Sequence, residues 1–128
     1  MNERHPMYAD GEGPPLSMFT VLGDTIYISG HGAVDSNGRY TAPDFEGQMR
    51  YTMERLGETL QEAGVDFSSV KSVRSYISDP ANLSLYNRIY REYFKAPFPA
   101  RTTITNCLPP GLEFEIECVA QATQSQKD

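Results

Sequence analysis

Near the end of the 128-residue chain, a permanent cation and three carboxylates fall on two short β-prone stretches. Arg101 opens the run Arg101-Thr102-Thr103-Ile104-Thr105 behind Phe98-Pro99-Ala100, and Glu113, Glu115 and Glu117 alternate beyond Pro109-Pro110-Gly111. A guanidinium grips a carboxylate through two parallel N–H bonds. A positioned carboxylate beside a bound substrate has the right type for a general base. Together these residues describe a pocket for a small carboxylate substrate with a base nearby. The same residues also fit a structural ion pair between Arg101 and Glu115 or Glu117, with the other glutamates as solvated strand side chains.

Other chemistry is sparse. His31 lies in Ser29-Gly30-His31-Gly32, a titratable group between two glycines that allow a bulge or the close approach of another group. Thr103 can donate or accept a hydrogen bond, but it is not a thiol nucleophile. Cys107 and Cys118 are too few for a disulfide scaffold and read as reduced, half-buried thiols. With only His5 and His31 to join them, no cluster has the spacing of a metal site. No metal is expected on this count. A net charge of -6 with scattered cations disfavours nucleic acid. At 39% hydrophobic residues with no long apolar run, neither a membrane-spanning helix nor a secretory core is expected, and the location expected is cytoplasmic.

These residues need strands and helices to position them. Apolar runs at 16–22 and 25–29 flank Gly23-Asp24, a Gly-first two-residue hairpin loop. A turn at 35–38 leads to a short strand at Arg39-Tyr40. Phe45, Met49, Met53, Leu56, Leu60 and Ala63 form one apolar stripe, so the spacing predicts a helix over 44–63 that stops at Gly64. A strand at 70–78 ends at Asp79-Pro80. A second helix starts near Asn82, a good N-cap, and carries a wide aromatic stripe. Strands at 101–107 and 112–122 read as a final hairpin.

The order β-β-β-α-β-α-β-β describes an α+β layer, with two helices on one face of a mixed sheet. Partner subunits are the economical cover for the other face. The expected division is a flexible amino-terminal arm at 1–15, one domain at 16–124 and a disordered tail at 125–128. Loop length decides the geometry of the supposed hairpin. An odd loop, 108–112, puts Arg101, Thr103 and Glu115 on one face. A loop of 108–111 puts Arg101 and Glu115 on opposite faces, and a common site then needs a bulge or another subunit.

The element order, Ser29-Gly30 after the second strand, Gln48 early in the long helix and Asp79 after the fourth strand resemble the RidA/YjgF family. So do Tyr86-Asn87 with Tyr90 and Phe94, and Phe98-Pro99-Ala100-Arg101 with Glu115-Ile116-Glu117. The resemblance spans about 16–122. It implies a chorismate-mutase-like fold and a homotrimer with three clefts between subunits. It also implies cofactor-independent hydrolysis of 2-imino or 2-aminoacrylate-type acids to keto acids and ammonia. On this resemblance Arg101 holds the substrate carboxylate, Glu115 orients water, the Gly30 backbone lines the pocket and Asn87 stands at the cleft. Leu16 and Thr103 replace the tyrosine and cysteine of the best-known deaminases, and His31 stands where glutamine is common. The altered walls suit two alternatives: a non-catalytic trimeric binding module, or a deaminase of a larger amino-dienoate.

Overall fold

The structure, a computed structural model, describes residues 5–9 and 13–122. Residues 1–4 and 10–12 of the expected arm, and the expected tail at 125–128, lie outside the described residues. The elements are β1 (Phe19–Leu22), β2 (Thr25–Gly32), α1 (Phe45–Glu62), β3 (Val70–Ile77), α2 (Leu83–Tyr93), β4 (Ala100–Thr105) and β5 (Phe114–Gln121). They build one five-stranded sheet in the order β1-β2-β5-β3-β4. The pairing is antiparallel except between β3 and β4.

The helix-covered face holds the core. Ile26 and Ile28 of β2, Val73 and Ile77 of β3, and Phe114, Ile116, Cys118 and Ala120 of β5 are buried against Met49, Met53, Leu56 and Leu60 of α1 and Tyr86, Ile89 and Tyr90 of α2. Asp44 caps α1 by accepting from the Gly47 N–H at 2.8 Å. Gly64, at φ 85°, ends that helix as the stripe predicts. Asn82 precedes α2 without a side-chain capping bond; Asp79 instead caps the short 3₁₀ turn Pro80–Asn82.

Three expectations are corrected. The first strand begins at Phe19, leaving Leu16 outside it, because Gly23-Asp24 sets a register that pairs Phe19 with Ile28 and stops there. The strand expected at Arg39-Tyr40 reduces to one bridge, Val34 to Tyr40, because the tight turn before it leaves little chain to pair. Most consequentially, β4 and β5 form no hairpin. The β3–α2–β4 segment is a parallel crossover that sets β4 on one side of β3. Residues 106–113 then carry the chain to the other side of β3, where β5 pairs with both β3 and β2. Alternate burial along β5 marks a central strand, whereas β4 is the exposed edge.

Candidate active site

Register places the two principal residues on opposite faces. Arg101 pairs with Val73, which pairs with Cys118, so Arg101 shares the helix-covered face. Glu115 pairs with Tyr76, which pairs with Ile104, on the open face. Residues directly opposite one another in adjacent strands share a face. One chain therefore carries two candidate half-sites and does not bring Arg101 and Glu115 together.

In the first half-site, the Arg101 guanidinium lies over the rings of Tyr86 and Tyr90, 4.9 and 5.0 Å from their centroids. Its Nη1 donates to Asn87 Oδ1 at 2.9 Å. The rings are fixed in turn: the Tyr86 hydroxyl donates to Ser75 at 2.7 Å, and Tyr90 stacks on Phe94 at 4.5 Å. The cation is thus aimed by packing while staying exposed, with most of its five donors left for a ligand. Asn87, Tyr90, Arg91, Phe98, Pro99 and Arg101 border a cavity of about 300 Å³. Thr103 lies on the same face of β4; its hydroxyl and that of Tyr90 are buried without partners among the described residues. Burial pushes the Tyr90 phenol well above its ordinary range, so it stays protonated.

The second half-site is built around an irregularity in β2. Between Ile28↔Cys118 and His31↔Ile116 the register shifts, so Ser29-Gly30 carries one residue more than the partner strand. That bulge turns His31 onto the helix face, where it is 4% exposed. Its Nδ1 lies 2.7 Å from the Ser29 carbonyl oxygen, and its Nε2 lies 2.8 Å from the Thr59 hydroxyl. Burial lowers the His31 pKa, with the Ser29 carbonyl opposing and Arg55 adding to the fall. In the neutral tautomer that donates to the Ser29 carbonyl, His31 braces the bulge.

The bulge makes room for one carboxylate. A side chain at residue 30 would collide with the Glu115 carboxylate and displace it, so glycine lets that carboxylate keep its place. On the same strand face, Glu113 accepts from the Ser78 hydroxyl at 2.6 Å. Glu117 accepts from the Tyr76 hydroxyl at 2.7 Å and stands 3.6 Å from Arg74. Glu115 has no such partner among the described residues. Burial first, and then the charge of Glu117, raise its pKa above the ordinary carboxylate value. Leu16, Gly30, His31 and Glu115 border a second cavity, of about 330 Å³.

Gln48 supplies support whose function could not be read from its position in the helix. Buried at the start of α1, it donates to the carbonyls of Ala42 and Gly111 at 2.9 Å each and accepts from the Glu113 N–H at 2.8 Å. It therefore fixes the start of β5, two residues before Glu115. Its available signal was a polar residue on the apolar helix face. No group of three or more His, Cys, Asp or Glu side chains among the described residues is placed to hold a metal.

A family model described as Endoribonuclease L-PSP matches residues 14–122. The chain belongs to this family, the RidA/YjgF proteins. Human 2-iminobutanoate/2-iminopropanoate deaminase is 35% identical over 114 residues, covering 88% of this chain and 83% of that protein. The chloroplastic Reactive Intermediate Deaminase A of Arabidopsis thaliana is 33% identical over 108 residues. That match covers 83% of this chain but only 58% of the plant protein. Among solved structures, YyfA of Yersinia pestis, a Rid-family protein of unknown function, superposes with a TM-score of 0.77 at 31% identity. The match covers 84% of this chain and 88% of that chain. The RidA fold accounts for the mixed sheet with its two helices. No helix among the described residues is long and apolar enough to cross a membrane.

Proposed function

We propose that this chain is a cofactor-independent imine/enamine deaminase that works as a homotrimer, each site joining Arg101 of one copy to Glu115 of another. The observation that carries this reading is the pair of complementary half-sites. An aimed arginine and an uncommitted carboxylate stand on opposite faces of the sheet, and neither completes a site within its own chain. The names of the human and plant relatives supply the reaction class.

Arg101 would take the substrate carboxylate through parallel N–H bonds, with Asn87 steadying its other edge. The two hydroxyls left unpartnered, Thr103 and Tyr90, lie beside that anchor. Glu115 would accept a proton as water adds to the imine carbon and pass it to the imine nitrogen, giving a carbinolamine. It would then take the hydroxyl proton as the carbonyl forms and deliver it to the amine as the C–N bond breaks. The products are the keto acid and ammonia, and the carboxylate is regenerated. Its raised pKa suits this exchange, since the group is then a better base than an ordinary carboxylate. The Gly30 backbone and Leu16 would line the substrate, and His31 would hold the bulge without touching the reacting atoms.

The acidic surface supports a small metabolite over RNA as partner. Both cysteines are unpaired, which supports a reducing compartment such as the cytoplasm. The test is ammonia release from 2-iminopropanoate generated in situ. Acceleration over solvent that disappears in Arg101→Ala is expected; no acceleration for any imine would remove the reading.

A further inference from the structure

Resting on the deaminase reading, we infer that the amino-terminal turn Pro6–Tyr8 completes an apolar side-chain pocket beside Glu115. This pocket selects 2-imino acids with isobutyl or thioether side chains over those carrying methyl or ethyl. Met7, Leu16 and Met18 border the same cavity as Glu115, with Val34 and Leu112. The first three present apolar side-chain surface to it. A methyl group covers little of that surface; an isobutyl or methylthioethyl group covers more.

The turn is held in place by specific contacts. The His5 N–H donates to the Gly38 carbonyl at 2.7 Å, and His5 Nδ1 accepts from the Met7 N–H at 3.1 Å. The His5 ring stands edge-on to Tyr40, 6.2 Å between centroids. Tyr8 rests against Gly38, whose φ of 82° and missing side chain make space for the ring. Residues 5–8 are thereby fastened to the turn at 35–38, and Met7 borders the cavity.

The charged and titratable groups around this space are already engaged. Arg55 stands 3.3 Å from Glu58 and donates to the Tyr51 hydroxyl at 3.0 Å. Asp35 accepts from the N–H groups of Asn37 and Arg39 at 2.8 and 3.0 Å. Both His31 nitrogens have partners. Glu115 is the reactive exception. Among the described residues, the remainder of a substrate in this cavity therefore meets carbon and sulfur, and the bordering Arg55 is paired with Glu58.

The experiment compares kcat/KM for imines generated in situ from alanine, 2-aminobutyrate, leucine, methionine and glutamate, in the full-length chain and in Met7→Ser and Tyr8→Ala. The leucine and methionine imines should exceed the alanine imine by at least ~10-fold, the scale of added methylene groups in an apolar pocket. In both variants that ratio should collapse toward one. Equal or better turnover of the alanine or glutamate imine overturns the inference while leaving the deaminase reading intact. A preference kept by both variants removes the arm from the pocket. Failure to turn over any imine removes the deaminase reading, and the inference with it.

Discussion

The two half-sites are held by opposite means. Arg101 is exposed and aimed by stacking, over two tyrosine rings with an asparagine at its edge. Glu115 is partly buried and has no polar partner among the described residues, its place set by a missing side chain at Gly30 and a bulge braced by His31. A guanidinium is charged in any setting, so the protein need only orient it. A carboxylate becomes a useful base near neutrality only when its charged form is disfavoured, so it is left under-solvated. In the proposed enzyme the contrast separates a binding half, built for direction, from a reacting half, built for basicity.

The largest effects should come from removing either principal group. Arg101→Ala and Glu115→Gln should each lower kcat/KM on the preferred imine by ~100-fold or more, measured by keto-acid release. Arg101→Lys should recover little, because the stacked, forked geometry is lost with the charge retained. Gly30→Val comes next: by pushing the Glu115 carboxylate aside it should cut kcat by ~10-fold or more at similar KM. Asn87→Ala, the matching change at the other half, should chiefly raise KM, by a few-fold. If Gly30→Val raises KM alone, the division into binding and reacting halves is wrong.

A pH profile sharpens the same contrast. The proposed mechanism needs ionised Glu115, so kcat/KM should fall on the acid side at a pH above the ordinary carboxylate range, and any activity left in Glu115→Gln should lack that limb. The stability effect has the opposite sign. An acid whose folded pKa is raised disfavours folding when ionised, so Glu115→Gln should be the more stable protein at neutral pH. That advantage should shrink as pH falls below the raised pKa and vanish below the ordinary carboxylate value, as denaturant titration would show. The smallest catalytic effect belongs to His31→Ala, which leaves the Thr59 hydroxyl and Ser29 carbonyl without their partner. It should cost ~1–3 kcal/mol of stability, with a lesser loss in rate.

Much of this architecture was legible in residue order. The stripe from Phe45 to Leu60, the Gly23-Asp24 loop and the Gly64 stop follow from local periodicity and turn chemistry, and they stand as read. The placement of β5 between β2 and β3 was not legible, because strands 101–107 and 112–122 are neighbours in sequence and their periodicity says nothing about a third strand between them. Loop parity sets shared faces only within a hairpin, which β4 and β5 do not form, and the register places Arg101 and Glu115 on opposite faces. His31 was placed near the site but not inside the core. One extra residue at Ser29-Gly30 reverses its face, and alternation alone cannot reveal where a bulge falls. Choosing Glu115 among three alternating glutamates rested on resemblance; the structure adds the physical distinction that Ser78 and Tyr76 occupy its two neighbours.

The central claim, that a working site takes Arg101 and Glu115 from different copies, has a direct test. Arg101→Ala and Glu115→Gln chains, each inactive alone, are unfolded together, mixed in equal amounts and refolded. In a cyclic assembly where each site draws one residue from each neighbour, random mixing restores about a quarter of the wild-type sites. Recovery of activity on that order supports the composite site. Mixed assemblies that form but stay as inactive as either parent would contradict it.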